Sequence, residues 1–196
     1  MIDDMEDGDD SILPVHGRRG SWFILNDGTA GAQQAPTGTP FTMSAIAGGR
    51  GASLYAARTS GQGFKSWSPL FGFWLNKLPA GLKQPYDASP YAGITFWAKS
   101  DTSQLVRVQL PDKDTDPDGQ VCVGAGTGGC SDHFGKTIVV TPQWVKYTVL
   151  FSQLSQAGWG RKAASFDPST AYGIEFQFQL LAAFDCWIDD IAFLTP

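Results

Sequence analysis

Residues 173–181 read GIEFQFQLL, and this run decides the fold class. Apolar side chains recur at every second position, Ile174, Phe176, Phe178 and Leu180, with Glu175, Gln177 and Gln179 between them. A period of two marks a strand with one face in a core and the other turned outward, because successive side chains point to opposite sides of a pleated sheet. Two neighbouring stretches repeat the pattern. In 93–99, GITFWAK, Ile94, Phe96 and Ala98 go inward and Thr95, Trp97 and Lys99 outward; in 105–110, LVRVQL, Val106, Val108 and Leu110 go inward and Arg107 and Gln109 outward. Further strands are expected over 21–26, 52–58, 70–76, 144–151 and 184–194, with the opening run extending over 172–180. Eight strands bounded by Gly, Pro, Asp and Ser, with no internal repeat, are the count of a jelly roll.

Composition agrees. The 196 residues include 23 Gly and 12 Pro and are 13% aromatic, which suits short strands and tight turns and leaves little helix. The expectation is one all-β domain over 1–196, a jelly-roll β-sandwich of two antiparallel sheets, large enough to bury a substantial core and monomeric. A net charge of −5 removes the electrostatic drive toward nucleic acid and toward an anionic membrane surface. No apolar run approaches the ~20 residues of a spanning helix. The acidic start, with Asp3, Asp4, Glu6, Asp7, Asp9 and Asp10, is unlike a signal peptide's basic one, so the chain reads as a domain cut from a longer, secreted protein. Cys122 and Cys130 flank the Gly-rich loop VGAGTGG, which lets them approach to bonding distance; that disulfide and a free Cys186 are expected.

The outward set Trp97, Arg107, Gln109, Glu175, Gln177 and Gln179 carries planar amides and charges beside an aromatic ring. Sugars ask for this chemistry: axial C–H groups lie on an aromatic face, and the hydroxyl rim takes paired donors and acceptors. Asp132 and His133 follow the expected disulfide and are placed at the edge of the same cleft, as hydrogen-bonding residues on a rigid loop. With only His16 and His133, and no Cys-x-x-Cys pair, zinc lacks its ligands. Of the seven tryptophans, Trp22, Trp144 and Trp187 fall in strands and suit a core. Trp67, Trp74, Trp97 and Trp159 lie near turns or on polar faces. The glycine-flanked Trp159 is either a stacking platform for a ligand or a plug packed on the sandwich end, and the loops carrying Trp67 and Trp159 are the alternative ligand site to the Trp97 face.

The segments IDDMEDGD and FDCWIDDIAF set carboxylates beside apolar residues at the two ends of the chain. This pair resembles the opening and closing segments of carbohydrate-binding jelly rolls of the galactose-binding-like type, including families four, eleven and twenty-two. There a Phe-Glu near the start and an Ile-Asp-Asp near the end meet at one calcium ion. The resemblance implies a structural Ca2+ held by Glu6 and Asp189, with Met5 standing where Phe is more usual; a cation with six to eight oxygen ligands also calls for carbonyls from the turn 48–51 and for Asp4. A second acidic stretch, DKDTDPDGQ, places Asp114, Asp116, Asp118 and Gly119 as an EF-hand loop does, but its twelfth position is Ala125, so it reads as an Asp/Pro/Gly loop. The order of LPDKDTDPDG, CSDHF, QAGWG and WIDDIAF is also similar to modules attached to secreted bacterial polysaccharide-degrading enzymes. That likeness implies a polysaccharide partner, β-glucan or cellulose-like, and a covalently linked catalytic domain.

Four functions compete on these residues. A glycoside hydrolase needs two carboxyl groups about 5–9.5 Å apart; Glu175 has only an Asp such as Asp132 to pair with. A lyase lacks an obvious tyrosine base beside Arg107 and Lys99. A protein-interaction sandwich would show a contiguous apolar face. Non-catalytic polysaccharide binding fits the sequence best.

Overall fold

The computed structural model describes residues 1–77 and 82–196. Its strands are β1 (Trp22–Leu25), β2 (Gln33–Ala35), β3 (Ser44–Arg50), β4 (Ser53–Gln62), β5 (Leu70–Trp74), β6 (Gly93–Ser100), β7 (Gln104–Leu110), β8 (Phe134–Val140), β9 (Val145–Leu150), β10 (Gly173–Phe178) and β11 (Phe184–Leu194). They form a five-stranded sheet, β1-β5-β10-β7-β8, and a six-stranded sheet, β2-β4-β11-β6-β9, with β3 also paired to β4. Neighbours run antiparallel throughout. The jelly-roll sandwich expected from the alternation is the fold observed.

The core fills the space between the sheets with the inward positions of each strand. Phe71, Phe73, Phe96, Val108, Ile174, Phe176 and Ile188 are all fully buried. Phe96 of the six-stranded sheet meets Phe176 of the five-stranded sheet edge to face, with centroids 5.2 Å apart. Such a pair adds roughly 0.5–1.5 kcal/mol to its area burial. Phe178 stacks on Phe184 at 4.2 Å where β10 hands over to β11.

Three departures from the sequence reading have physical causes. β10 ends at Phe178, so Gln179 lies beyond the strand and Leu180, expected in the core, is 38% exposed in the following turn. Trp187 is buried, but on the outer side of β11, with Ile46, Ala56 and the half-buried Trp144. The unexpected strands β2, β3 and β8 are short, glycine-bearing or one-sidedly exposed, and their apolar alternation is weak. The chain ends do meet: Ile2 N–H donates to the Ile191 carbonyl at 2.7 Å and Ile191 N–H to Asp3 O at 2.9 Å.

Candidate functional site

Register brings the polar residues of the opening run together on the outer face of the five-stranded sheet. Glu175 sits opposite Gly72 on β5 and Gln109 on β7, and Gln177 opposite Leu70 and Arg107. Gly72 leaves no room for a side chain, since a Cβ there would fall 2.2 Å from the Ile174 carbonyl oxygen. Over this face lies a cavity of about 470 Å³, within the roughly 300–1,000 Å³ of ligand pockets. Its floor is Gln109, Glu175, Gln177, Leu25 and Leu70; its walls are Trp67, Trp159, His133, Ser131 and the disulfide loop at Ala125, Gly126 and Cys130. Trp67 and Trp159 are 41% and 43% exposed, unusually open for indoles.

The polar part of the floor is largely buried. Gln109 Nε2 donates to Glu175 Oε2 at 2.7 Å, and both residues are buried beneath the loops. Burial pushes the Glu175 carboxyl up to about 7, with Gln109 and Lys83 opposing the rise and Asp116 adding to it. His133 is held neutral: burial lowers it to about 3, Lys83 and Arg107 acting in the same sense and Asp132 against. Its Nδ1 lies 3.0 Å from the Thr115 hydroxyl.

The walls are bound to the sheet and to each other. The disulfide Cys122–Cys130 is formed, with Cα atoms 5.2 Å apart, and Cys186 is free and buried. Arg107 donates to the carbonyls of His133 at 3.1 Å and Ser155 at 2.5 Å, so it pins loops and does not line the cavity. Asp132 is 3% exposed and spends its carboxylate on the loop carrying Trp159. It accepts from Ala157 N at 2.9 Å, Gly158 N at 2.8 Å and Gly160 N at 3.0 Å. Gln179 stands outside the cavity.

Trp97 is separated from this group altogether. It belongs to β6, in the other sheet, and faces the opposite side of the sandwich, where the Arg50 guanidinium covers it 4.8 Å from the ring centroid. Alternation assigned its outward direction correctly; which sheet that direction belonged to was invisible in the strand. Trp74 lies beside a wider depression of about 1,010 Å³, but its ring already carries Phe23 stacked at 4.1 Å and the Lys83 ammonium at 4.2 Å.

At the joined termini, the turn expected to offer carbonyls to calcium offers a guanidinium instead. Arg50 donates from Nε to Asp189 Oδ2 at 2.8 Å and from Nη2 to Asp190. Ser53 Oγ is 2.7 Å from Asp189 Oδ2 and 3.1 Å from Glu6 Oε1, and Glu6 also accepts from the amides of Leu54 and Tyr55. Asp4 accepts from Glu6 N. Each carboxylate thus faces hydrogen-bond donors, and no group of three or more His, Cys, Asp or Glu converges among the described residues. Calcium takes six to eight oxygen ligands; Glu6, Asp4 and Asp189 as arranged do not fit it. In the second acidic stretch, Lys83 pairs with Asp116 at 2.7 Å, and Asp114 with Lys113 and Arg161.

The fold is that of carbohydrate-binding modules. Over 96% of both chains it superposes, with a TM-score of 0.57 at 16% identity, on a family 11 carbohydrate-binding module from Clostridium thermocellum in complex with a β-1,3-1,4-mixed-linked tetrasaccharide. A family 30 module of a cellulosomal cellulase of Clostridium thermocellum aligns at TM-score 0.54 and 14% identity, covering 78% of this chain and 82% of that one. An exo-β-agarase aligns with all of this chain over 25% of its own length, at TM-score 0.58 and 15% identity. No protein-family model and no curated protein matches the sequence.

Proposed function

We propose that this chain is a non-catalytic module that binds a polysaccharide in the cavity over the five-stranded sheet. The observation that carries the reading is the pairing of two exposed indoles, Trp67 and Trp159, with the amide and carboxyl floor of Gln109, Glu175 and Gln177. Rings supply the stacking faces and the floor supplies directional bonds to hydroxyls. A β-glucan is the ligand class we favour, because equatorial hydroxyls leave both faces of the sugar ring apolar. The disulfide suits a secreted protein, and the alignment with part of an agarase chain supports attachment to a catalytic domain.

Catalysis is the less favoured reading. Glu175, titrating near 7, resembles a general acid, but it is the one carboxylate lining the cavity among the described residues. Affinity electrophoresis through gels of mixed-linkage β-glucan, xylan, mannan and agarose, with reducing ends assayed in parallel, decides between the two. Retardation without new reducing ends is expected; new reducing ends would make the chain an enzyme.

A further inference from the structure

We infer that Asp27 and Asp132 are positioning residues that hold Trp67 and Trp159 as the two halves of one preorganised aromatic clamp. The inference rests on the binding reading above and adds to it the groups that fix the geometry. Each indole rides on an exposed loop, and each loop is gathered by a single carboxylate from a distant part of the chain. Asp27 Oδ2 accepts from three successive amides, Lys65 at 2.9 Å, Ser66 at 2.6 Å and Trp67 itself at 3.3 Å, while its Oδ1 accepts from Thr29 N at 2.8 Å. Asp132 gathers the amides of Ala157, Gly158 and Gly160, on both sides of Trp159.

Neither arrangement is a general surface turn. Successive N–H groups pointing into one concavity form an anion nest, and a carboxylate seated in it fixes the φ and ψ of the residues that supply it. Gly158 has φ +96°, a conformation open to glycine and closed to most side chains. A Cβ on Gly160 would stand 2.4 Å from Cβ of Asp132. The sequence QAGWG therefore has glycines on either side of its tryptophan because the loop wraps a carboxylate. The Trp159 loop is also bonded to the disulfide loop, Gly128 N to Trp159 O at 2.7 Å and Arg161 N to Gly129 O at 2.8 Å. Burial opposes the ionisation of Asp27, yet the donors of Ser66, Thr29 and Lys65 hold it well below the usual carboxylate range. Its nest thus stays charged through the pH range in which an ordinary carboxylate is protonated. An indole fixed before the ligand arrives loses little rotamer and loop freedom on binding, which is the gain from preorganisation.

The test pairs Asp27→Asn and Asp132→Asn with Trp67→Ala and Trp159→Ala. An Asn keeps one carbonyl acceptor, loses the charge and turns an N–H toward amides that need an acceptor, so the nest is weakened while side-chain size is kept. With a soluble mixed-linkage β-1,3-1,4-glucan as probe in calorimetry, Asp132→Asn is expected to weaken binding about tenfold in the native background. In a Trp159→Ala background it should change binding less than twofold, and Asp27→Asn should behave alike toward Trp67. Losses of equal size in both backgrounds, or none, would overturn the inference. A ligand-free readout keeps it testable if the unaltered protein binds no glycan and the binding reading falls. Indole Nε1 heteronuclear relaxation, assigned by Trp→Phe variants, should show Asp132→Asn loosening Trp159 alone and Asp27→Asn loosening Trp67 alone. Unchanged indole order in both variants would refute the positioning role.

Discussion

Arg50 Nε lies 2.8 Å from Oδ2 of a fully buried Asp189, and the same guanidinium reaches Asp190 and covers the ring of Trp97. One side chain pairs with both members of the closing acid pair and covers an indole on the outer face of the six-stranded sheet. Burial raises Asp189 from the usual carboxylate range, with the Arg50 and Ser53 donors acting against that rise. Chelation by EDTA is therefore expected to leave the melting temperature within a degree of its value in millimolar calcium. Arg50→Met should cost about 3 kcal/mol in urea unfolding, because it strands a buried charge. A melting temperature that falls on chelation would return a metal ion to the termini.

Stacking and stability should separate by face. Trp67→Ala and Trp159→Ala are each expected to weaken glucan binding by about 1–3 kcal/mol, the range of an exposed aromatic anchor, with melting little changed. Trp97→Ala should do the reverse, since its ring lies under Arg50 on the opposite sheet. Calorimetry and thermal melts on the three variants check this; a loss of binding in Trp97→Ala would move the site to the other face.

Glu175 links stability to pH with a definite sign. Its carboxyl is raised by burial to about 7 from a reference of 4.5, so between those values the folded state holds a proton that the unfolded state has released. The stability it contributes is complete below pH 4.5 and is lost as pH rises through 7, up to about 3 kcal/mol. Glu175→Gln keeps an acceptor for Gln109 and removes the titration. Urea unfolding at pH 5 and pH 8 should show the native protein losing stability relative to the variant at the higher pH. Parallel pH dependence of the two would place the titration elsewhere.

The disulfide should act on the cavity wall more than on the core. Replacing Cys122 and Cys130 by Ser is expected to cost about 2–3 kcal/mol from loop entropy. It should also weaken glucan binding, since Gly128 and Gly129 of the enclosed loop bond the Trp159 loop. Melting and calorimetry with and without dithiothreitol report both effects; unaltered binding on reduction would mean the wall stands without the bridge.

What the sequence determined by itself was everything carried by local periodicity and short loops. The period of two in 93–99, 105–110 and 172–180 placed Phe96, Val108 and Phe176 in the core, and the Gly-rich spacing of Cys122 and Cys130 led to their bond. It also named Gln109, Glu175, Gln177, His133, Trp67 and Trp159, all of which line one cavity. Tertiary structure alone decided which sheet each strand joined, because an outward direction is the same in either sheet until strands pair. That is why Trp97 left the group. It also decided what each charge meets. Asp132, spaced like a ligand contact, folds into a nest of amides from 25 to 28 residues away, and Arg50 crosses 139 residues to reach Asp189. Partners at such separations are chosen by the packing of the two sheets, and no local pattern in the chain encodes them.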